Sequence, residues 1–161
     1  MVRQAGSGIH LLFLIWIPVL CGCGPDFSKC DATLGKELLV WSGESMDGEA
    51  LQEGSELSIE FFAQGGMSVK VKSALAGIDG ITDVRDLVIT INFEGETIGS
   101  DSESIVEKVD CTSGGLLELK ESIISLSYYD ETYLIGQTGT LSVSVKAGEE
   151  FTREISVTFG Y

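Results

Sequence analysis

Residues 139–159 read GTLSVSVKAGEEFTREISVTF, and this stretch decides the fold. On each side of Gly148 an apolar residue recurs at every second position. The recurring residues are Leu141, Val143 and Val145, then Ile155, Val157 and Phe159. A period of two is typical of a half-buried strand, because successive side chains point to opposite faces. Since glycine supports a tight turn, the stretch predicts a β-hairpin with one buried face.

The same alternation extends upstream through residues 57–61, 67–72 and 87–93. Weaker strand signals lie at residues 38–41, 105–111, 116–120 and 123–129, and no segment after residue 36 shows a helical period. Eight or nine short strands with one apolar face each predict an all-β fold. The expected architecture is a single antiparallel β-sandwich over residues 37–161.

The N-terminus has the layout of a cleaved signal peptide. Arg3 is the only charged residue among the first 22, an apolar segment runs from Ile9 to Leu20, and the chain turns polar after Cys23. The quartet Leu20-Cys21-Gly22-Cys23 resembles the bacterial lipobox, although Cys21 stands where a small residue is usual. The resemblance implies that residues 1–22 are removed and that Cys23 carries a diacylglyceryl group. Residues 23–36 then form a lipidated tether that attaches the protein to a membrane.

Gly24 follows the lipidated position, where aspartate commonly retains lipoproteins in the inner membrane of enteric-type bacteria. The resemblance to lipoproteins without that aspartate suggests the outer membrane, with the periplasmic or surface face left open. If Cys21 leaves with the signal and Cys23 is lipidated, Cys30 and Cys111 remain. In an exported chain they are expected to form a disulfide. The alternative is a pair of metal-binding thiolates, for which no further Cys or His remains after residue 23.

The domain also loosely resembles immunoglobulin-like sandwiches. Residues 139–147 and 150–159 are similar to the final hairpin of such domains. Trp41 follows Cys30 by 11 residues, but Cys30 precedes the first clear strand. The expected disulfide therefore joins the entrance of the domain and not its centre.

Charge and histidine content restrict the function. Arg3 is the one basic residue of the first 22, so nine basic and 25 acidic side chains remain, a formal charge of −16. Such a chain repels nucleic acid and anionic membrane surfaces. The only histidine is His10, so a nucleophile paired with an imidazole is excluded after residue 22. We expect no catalytic residue, no metal site and no cofactor. A hydrolase with paired carboxylates is a remote alternative.

Two groups of acidic residues have the composition of weak cation sites. Asp79, Asp83 and Asp86 share one loop, and Asp101 lies near Glu103. Oxygen ligands suit calcium, but the spacing does not match an EF-hand. Turn-forming, solvated aspartates are the favoured interpretation.

Tyr128, Tyr129 and Tyr133, with Asp130 and Glu131 between them, form an aromatic cluster outside the alternation. Tyrosine suits contact surfaces because a rigid ring carries a polar tip. A binding loop is one interpretation, and tyrosines that cover the edge of the core are the favoured one.

The expected function is a lipid-anchored cell-envelope lipoprotein with a non-catalytic binding or structural domain and a protein or glycan partner. The alternative is a small outer-membrane β-barrel. It rests on the alternation of Ile155, Val157, Phe159 and Tyr161, which resembles the terminal strand of such barrels.

Overall fold

The computed structural model describes residues 26–63, 65–127 and 131–161, and the fold is all-β. The predicted signal peptide and Cys23 lie outside the described residues. The strands are β1 (Glu37–Ser42), β2 (Ser55–Phe61), β3 (Met67–Ala76), β4 (Arg85–Phe93), β5 (Glu96–Ile105), β6 (Lys108–Cys111), β7 (Leu117–Leu119), β8 (Ser122–Leu126), β9 (Thr138–Ala147) and β10 (Glu149–Gly160). The helical segments among the described residues are a 3-10 turn at Phe27–Lys29 and one α-helical turn, α1, at Glu131–Leu134.

Seven strands close into a ring in the order β2-β10-β9-β4-β5-β8-β3, and β3 pairs back to β2. The predicted sandwich is not confirmed, because these strands hydrogen-bond around a closed barrel. Two links of the ring are narrow: three residue pairs join β2 to β3, and one, Gly99 with Leu126, joins β5 to β8. One pairing, between β2 and β10, is parallel, which corrects the expectation of a purely antiparallel fold.

The apolar core fills the inside of the barrel. Along β9 the residues alternate in burial, with Leu141, Val143 and Val145 almost fully buried. The outward positions Thr140, Ser142 and Ser144 are polar and partly exposed. The hairpin predicted from residues 139–159 is confirmed as β9 and β10, which pair over ten residues on each strand.

Strand β5 was missed by the sequence prediction. Only Ile98 and Ile105 are large apolar residues there, and Ile105 is 83% exposed. The strand forms because eight of its residues pair with β4. The strand predicted over residues 105–111 is confirmed in its second part as β6, Lys108–Cys111, whereas Ile105 ends β5 and residues 106 and 107 belong to neither strand.

Strand β1 and the connection after it lie outside the ring and are fastened by Arg153 of β10. The Arg153 guanidinium donates to the carbonyl oxygens of Leu38 (3.2 Å) and Leu51 (2.9 Å) and pairs with the Glu37 carboxylate at 2.8 Å. The side chain of Arg153 is 18% exposed. These bonds link β1 to β10, two strands that do not pair with each other.

Candidate functional site

The two ends of the barrel differ in chemistry. We call proximal the end with residues 26–36, the loops 77–84 and 106–116 and the turn at Gly148. We call distal the end with residues 62, 63, 65 and 66, the turn 94–95, residues 127 and 131–137 and the C-terminal residues Gly160 and Tyr161.

A disulfide fixes the N-terminal segment to the proximal end. Cys30 caps the 3-10 turn, and it is bonded to Cys111 at the end of β6, with 5.1 Å between the Cα atoms. This agrees with the predicted pairing and with its place at the entrance of the domain. The segment predicted as a tether is therefore attached to the barrel from Phe27 onward.

Three glycines make room for this segment. A Cβ on Gly80 would lie 2.3 Å from the carbonyl oxygen of Phe27, and one on Gly77 would lie 2.5 Å from that of Leu34. A Cβ on Gly115 would lie 2.7 Å from the Cβ of Asp31. Any side chain at these positions would push the segment away, so the proximal loops are shaped to hold it.

Lys108 adds a polar contact beneath the same segment. Its Nζ donates to the carbonyl oxygens of Gly80 (3.1 Å) and Thr82 (3.3 Å) and lies 4.9 Å from the centre of the Phe27 ring. A cation over an aromatic face is attracted by the ring quadrupole. Lys108 thus joins the 3-10 turn to the loop between β3 and β4.

Asp31 gives the proximal end a dependence on pH. Its Oδ1 accepts from the hydroxyl (2.6 Å) and the backbone N–H (2.8 Å) of Thr33, and these bonds hold the pKa of Asp31 below its usual value. A depressed carboxyl pKa stabilises the fold above the unfolded pKa, and this contribution is lost as the pH falls through the folded value. We expect Asp31→Asn to lower Tm at pH 7, and this difference to shrink below pH 3.8. Thermal melts of both proteins at pH 7 and pH 3 measure it, and an equal difference at both would contradict the role of the charge.

The acidic groups considered as weak cation-site candidates do not form such a site among the described residues. Among residues 26–63, 65–127 and 131–161, no three His, Cys, Asp or Glu side chains lie close enough to hold a metal ion. Asp79 accepts from the backbone N–H of Ile81 at 3.0 Å, as a turn-forming aspartate does, and Asp86 pairs with Lys146 at 3.1 Å. Asp83 is exposed.

Asp101 and Glu103 lie on the inward side of β5, opposite Ile89 and Leu87. Both residues follow Gly99, the one residue of β5 that pairs with β8. Charged side chains that point inward at an unpaired edge are a known protection against pairing with another chain.

Packed aromatic rings characterise the distal end. The Phe93 ring lies edge-on to Phe159 and to Tyr133, with centroids 6.0 and 5.9 Å apart. Phe61 and Tyr161 are in contact at 5.5 Å. Phe93 and Phe159 are buried, whereas Tyr133 is 44% and Tyr161 74% exposed. A buried layer of rings therefore supports an exposed one.

Phe62 adds a third exposed ring, 52% accessible, in the turn between β2 and β3. We call Phe62, Tyr133 and Tyr161 the distal aromatic rim. The backbone of this turn is closed by bonds from Phe62 to Gly66 and from Gly65 to Phe62. The Tyr133 hydroxyl donates to the Glu94 carboxylate at 2.8 Å, which orients the ring.

Sequence reasoning found one of these three residues. Tyr133 belongs to the predicted tyrosine cluster, while Tyr128, Tyr129 and Asp130 lie outside the described residues. Phe62 and Tyr161 were missed as surface residues. The available signal for Phe62 was that it follows Phe61 directly and breaks the alternation, so one of the two rings has to face outward.

Acidic side chains accompany the rim. Glu94 and Glu96 flank the turn between β4 and β5, and both are exposed. An open hollow of about 490 Å³ lies beside this turn, and its lining includes Glu94 and Glu154.

On the barrel wall Lys70 is bonded to Glu44 and, at 3.0 Å, to Glu60. These bonds raise the pKa of Lys70, and the two carboxylates neutralise its positive charge.

No protein-family model matches this chain, and searches of curated proteins and of solved structures find no match either. Function is therefore inferred from the geometry. Within the described part of the chain, no helix has the length and apolar character needed to cross a membrane.

Proposed function

We propose that the protein is a lipid-anchored cell-envelope lipoprotein, attached through Cys23, whose domain is a non-catalytic binding module that presents its distal end to a protein or glycan partner. The observation that carries this proposal is the separation of the two ends. The disulfide and residues 26–36 lie at the proximal end, and the exposed rings lie at the distal end.

The distance from the anchor supports this orientation. Asp26 is three positions after Cys23, and an extended chain of that length spans about 10 Å. A lipid on Cys23 would keep the proximal end near the membrane. The ten residues of β9 run from the distal to the proximal end, on the order of 30 Å. The rim would therefore face away from the membrane.

A finer proposal concerns the fold. We propose that the barrel is a flattened immunoglobulin-like sandwich. Pairing of β1, β3 and β8 on one side, and of β5, β4, β9 and β10 on the other, is consistent with the strand neighbours of that family. The narrow β2–β3 and β5–β8 links would be the two edges of the sandwich.

Metabolic labelling with a fatty acid tests the anchor. We expect label on the wild type and on Cys21→Ser, and none on Cys23→Ser. Label that survives Cys23→Ser and vanishes with Cys21→Ser would move the lipidated residue. No label on any of the three would overturn the lipoprotein proposal.

Washing isolated membranes with mild buffer separates this proposal from the membrane-embedded barrel. The outward positions of β9 carry hydroxyl groups or, at Lys146, a charge, which favours a barrel wall outside the hydrocarbon region. We expect lipase-treated protein to wash off and untreated protein to stay. Lipase-treated protein that remains with the membrane would favour the embedded barrel. The absence of aspartate at position 24, where the chain has Gly24, favours the outer membrane as the site of attachment.

A further inference from the structure

The distal aromatic rim is ordered before any partner arrives. Tyr161 is held by the Phe61 ring, and Tyr133 by Phe93 and by the Glu94 carboxylate. Phe62 sits in a turn closed by two backbone bonds. Since rings fixed in this way lose little conformational entropy on contact, they are efficient binding groups.

The charge around the rim has one sign. Among the described residues of these turns and ends, namely 62, 63, 65, 66, 93–97, 127, 132–137 and 159–161, the charged side chains are the glutamates Glu94 and Glu96, with no Lys or Arg. Lys70, on the strand that follows the first of these turns, is already bonded to two glutamates. A basic partner would meet carboxylates and ring faces with no competing cation in these segments.

We propose that the distal aromatic rim binds a cationic, arginine- or lysine-rich segment of a protein partner; the inference rests on the proposed binding module and names the chemistry of its ligand. Guanidinium and ammonium groups are attracted to the faces of Tyr and Phe and form charge-assisted hydrogen bonds with Glu. A second copy of this chain would bring the same excess of negative charge to the rim.

The test uses the full-length protein purified in a nonionic detergent. The probe is a 12-residue peptide of alternating arginine and serine, and the control peptide carries neutral citrulline in place of arginine. Two matched pairs of variants separate rim binding from general attraction to an acidic chain. Tyr161→Ala is compared with Ile81→Ala, an equally exposed residue at the proximal end, and Glu96→Gln with Glu150→Gln, both exposed strand-end glutamates.

We expect the arginine peptide to bind and the citrulline peptide not to bind. Tyr161→Ala should weaken binding about 3- to 30-fold, as the loss of one cation–π contact implies, while Ile81→Ala changes it less than about 2-fold. Glu96→Gln should weaken binding more than Glu150→Gln. Melting curves check that all four variants are folded.

Equal losses at both ends would overturn the inference, because the peptide would then follow overall charge. Absence of binding would overturn it as well. A chito-oligosaccharide that binds in a Tyr161-dependent way, without arginine peptide binding, would identify a glycan surface instead. None of these outcomes affects fatty-acid labelling of Cys23, so failure of the rim and failure of the anchor are distinguishable.

Discussion

Replacement of Phe159 by alanine is expected to lower the free energy of unfolding by about 3–5 kcal/mol. The ring is 1% exposed, and it lies edge-on to Phe93 with 6.0 Å between centroids. It also packs over Gly139, where a Cβ would lie 2.5 Å from the Phe159 ring. Because backbone and rings surround the site, the cavity left by the truncation cannot collapse fully. Urea denaturation followed by circular dichroism measures the change.

Phe62→Ala is the matched control for Phe159→Ala. It removes the same side chain at the same end of the barrel, but from a position that is 52% exposed. We expect an effect near or below about 0.5 kcal/mol, as for most surface substitutions. If Phe159→Ala costs as little as Phe62→Ala, the aromatic layer beneath the rim is not part of the core.

Removal of the disulfide by the double substitution Cys30→Ser and Cys111→Ser is expected to cost about 4 kcal/mol in the chain-entropy account. The bond joins residues 81 apart in sequence, so it restricts the unfolded chain strongly. It also holds residues 26–36 against Gly77, Gly80 and Gly115. The free energy of unfolding from urea titrations of both proteins checks the prediction.

Reduced wild type serves as the control for the double substitution, since a reductant breaks the same bond without changing the sequence. We expect the two to unfold at similar urea concentrations. Alkylation of the protein before reduction is a second test. Cys30 and Cys111 should remain unmodified, because a disulfide leaves no free thiol. Alkylation of both thiols under non-reducing conditions would show that the bond is absent from the isolated protein.

The alternation of apolar residues predicted the strands that have one buried apolar face. It failed for a strand whose inward side chains are small or charged. β9 and β10 were predicted because apolar residues recur at every second position in each, as Leu141 and Val143 do in β9 and Ile155 and Val157 in β10. β5 was missed because its inward positions opposite β4 are Gly99, Asp101 and Glu103. A strand of this kind is stabilised by its neighbour and leaves no periodic signal of its own.

Strand neighbours could not be predicted from the same pattern. Alternation indicates which face of a strand is buried, and it carries no information on which strand lies beside it. The closed ring depends on two short contacts, β2 with β3 and β5 with β8, that involve few residues. The parallel pairing of β2 with β10 joins segments about 100 residues apart, and no local signal announces it.

Part of the candidate site was accessible from sequence. The pairing of Cys30 with Cys111 was predicted by elimination, whereas the room that three glycines make for residues 26–36 was not predicted. Phe62 and Tyr161 lie at the same end as Tyr133 because β2 and β10 end there and β9 begins there. That meeting is a property of the topology, which the sequence pattern does not specify.

Site-specific photocrosslinking in intact cells tests the central claim, that the distal end carries recognition, most directly. A benzophenone amino acid is placed at Tyr161, 74% exposed at the distal end, or at Ile81, 78% exposed at the proximal end. We predict a discrete protein adduct from position 161 and none of that size from position 81. The same adduct from both positions, or an adduct from position 81 alone, would contradict the account.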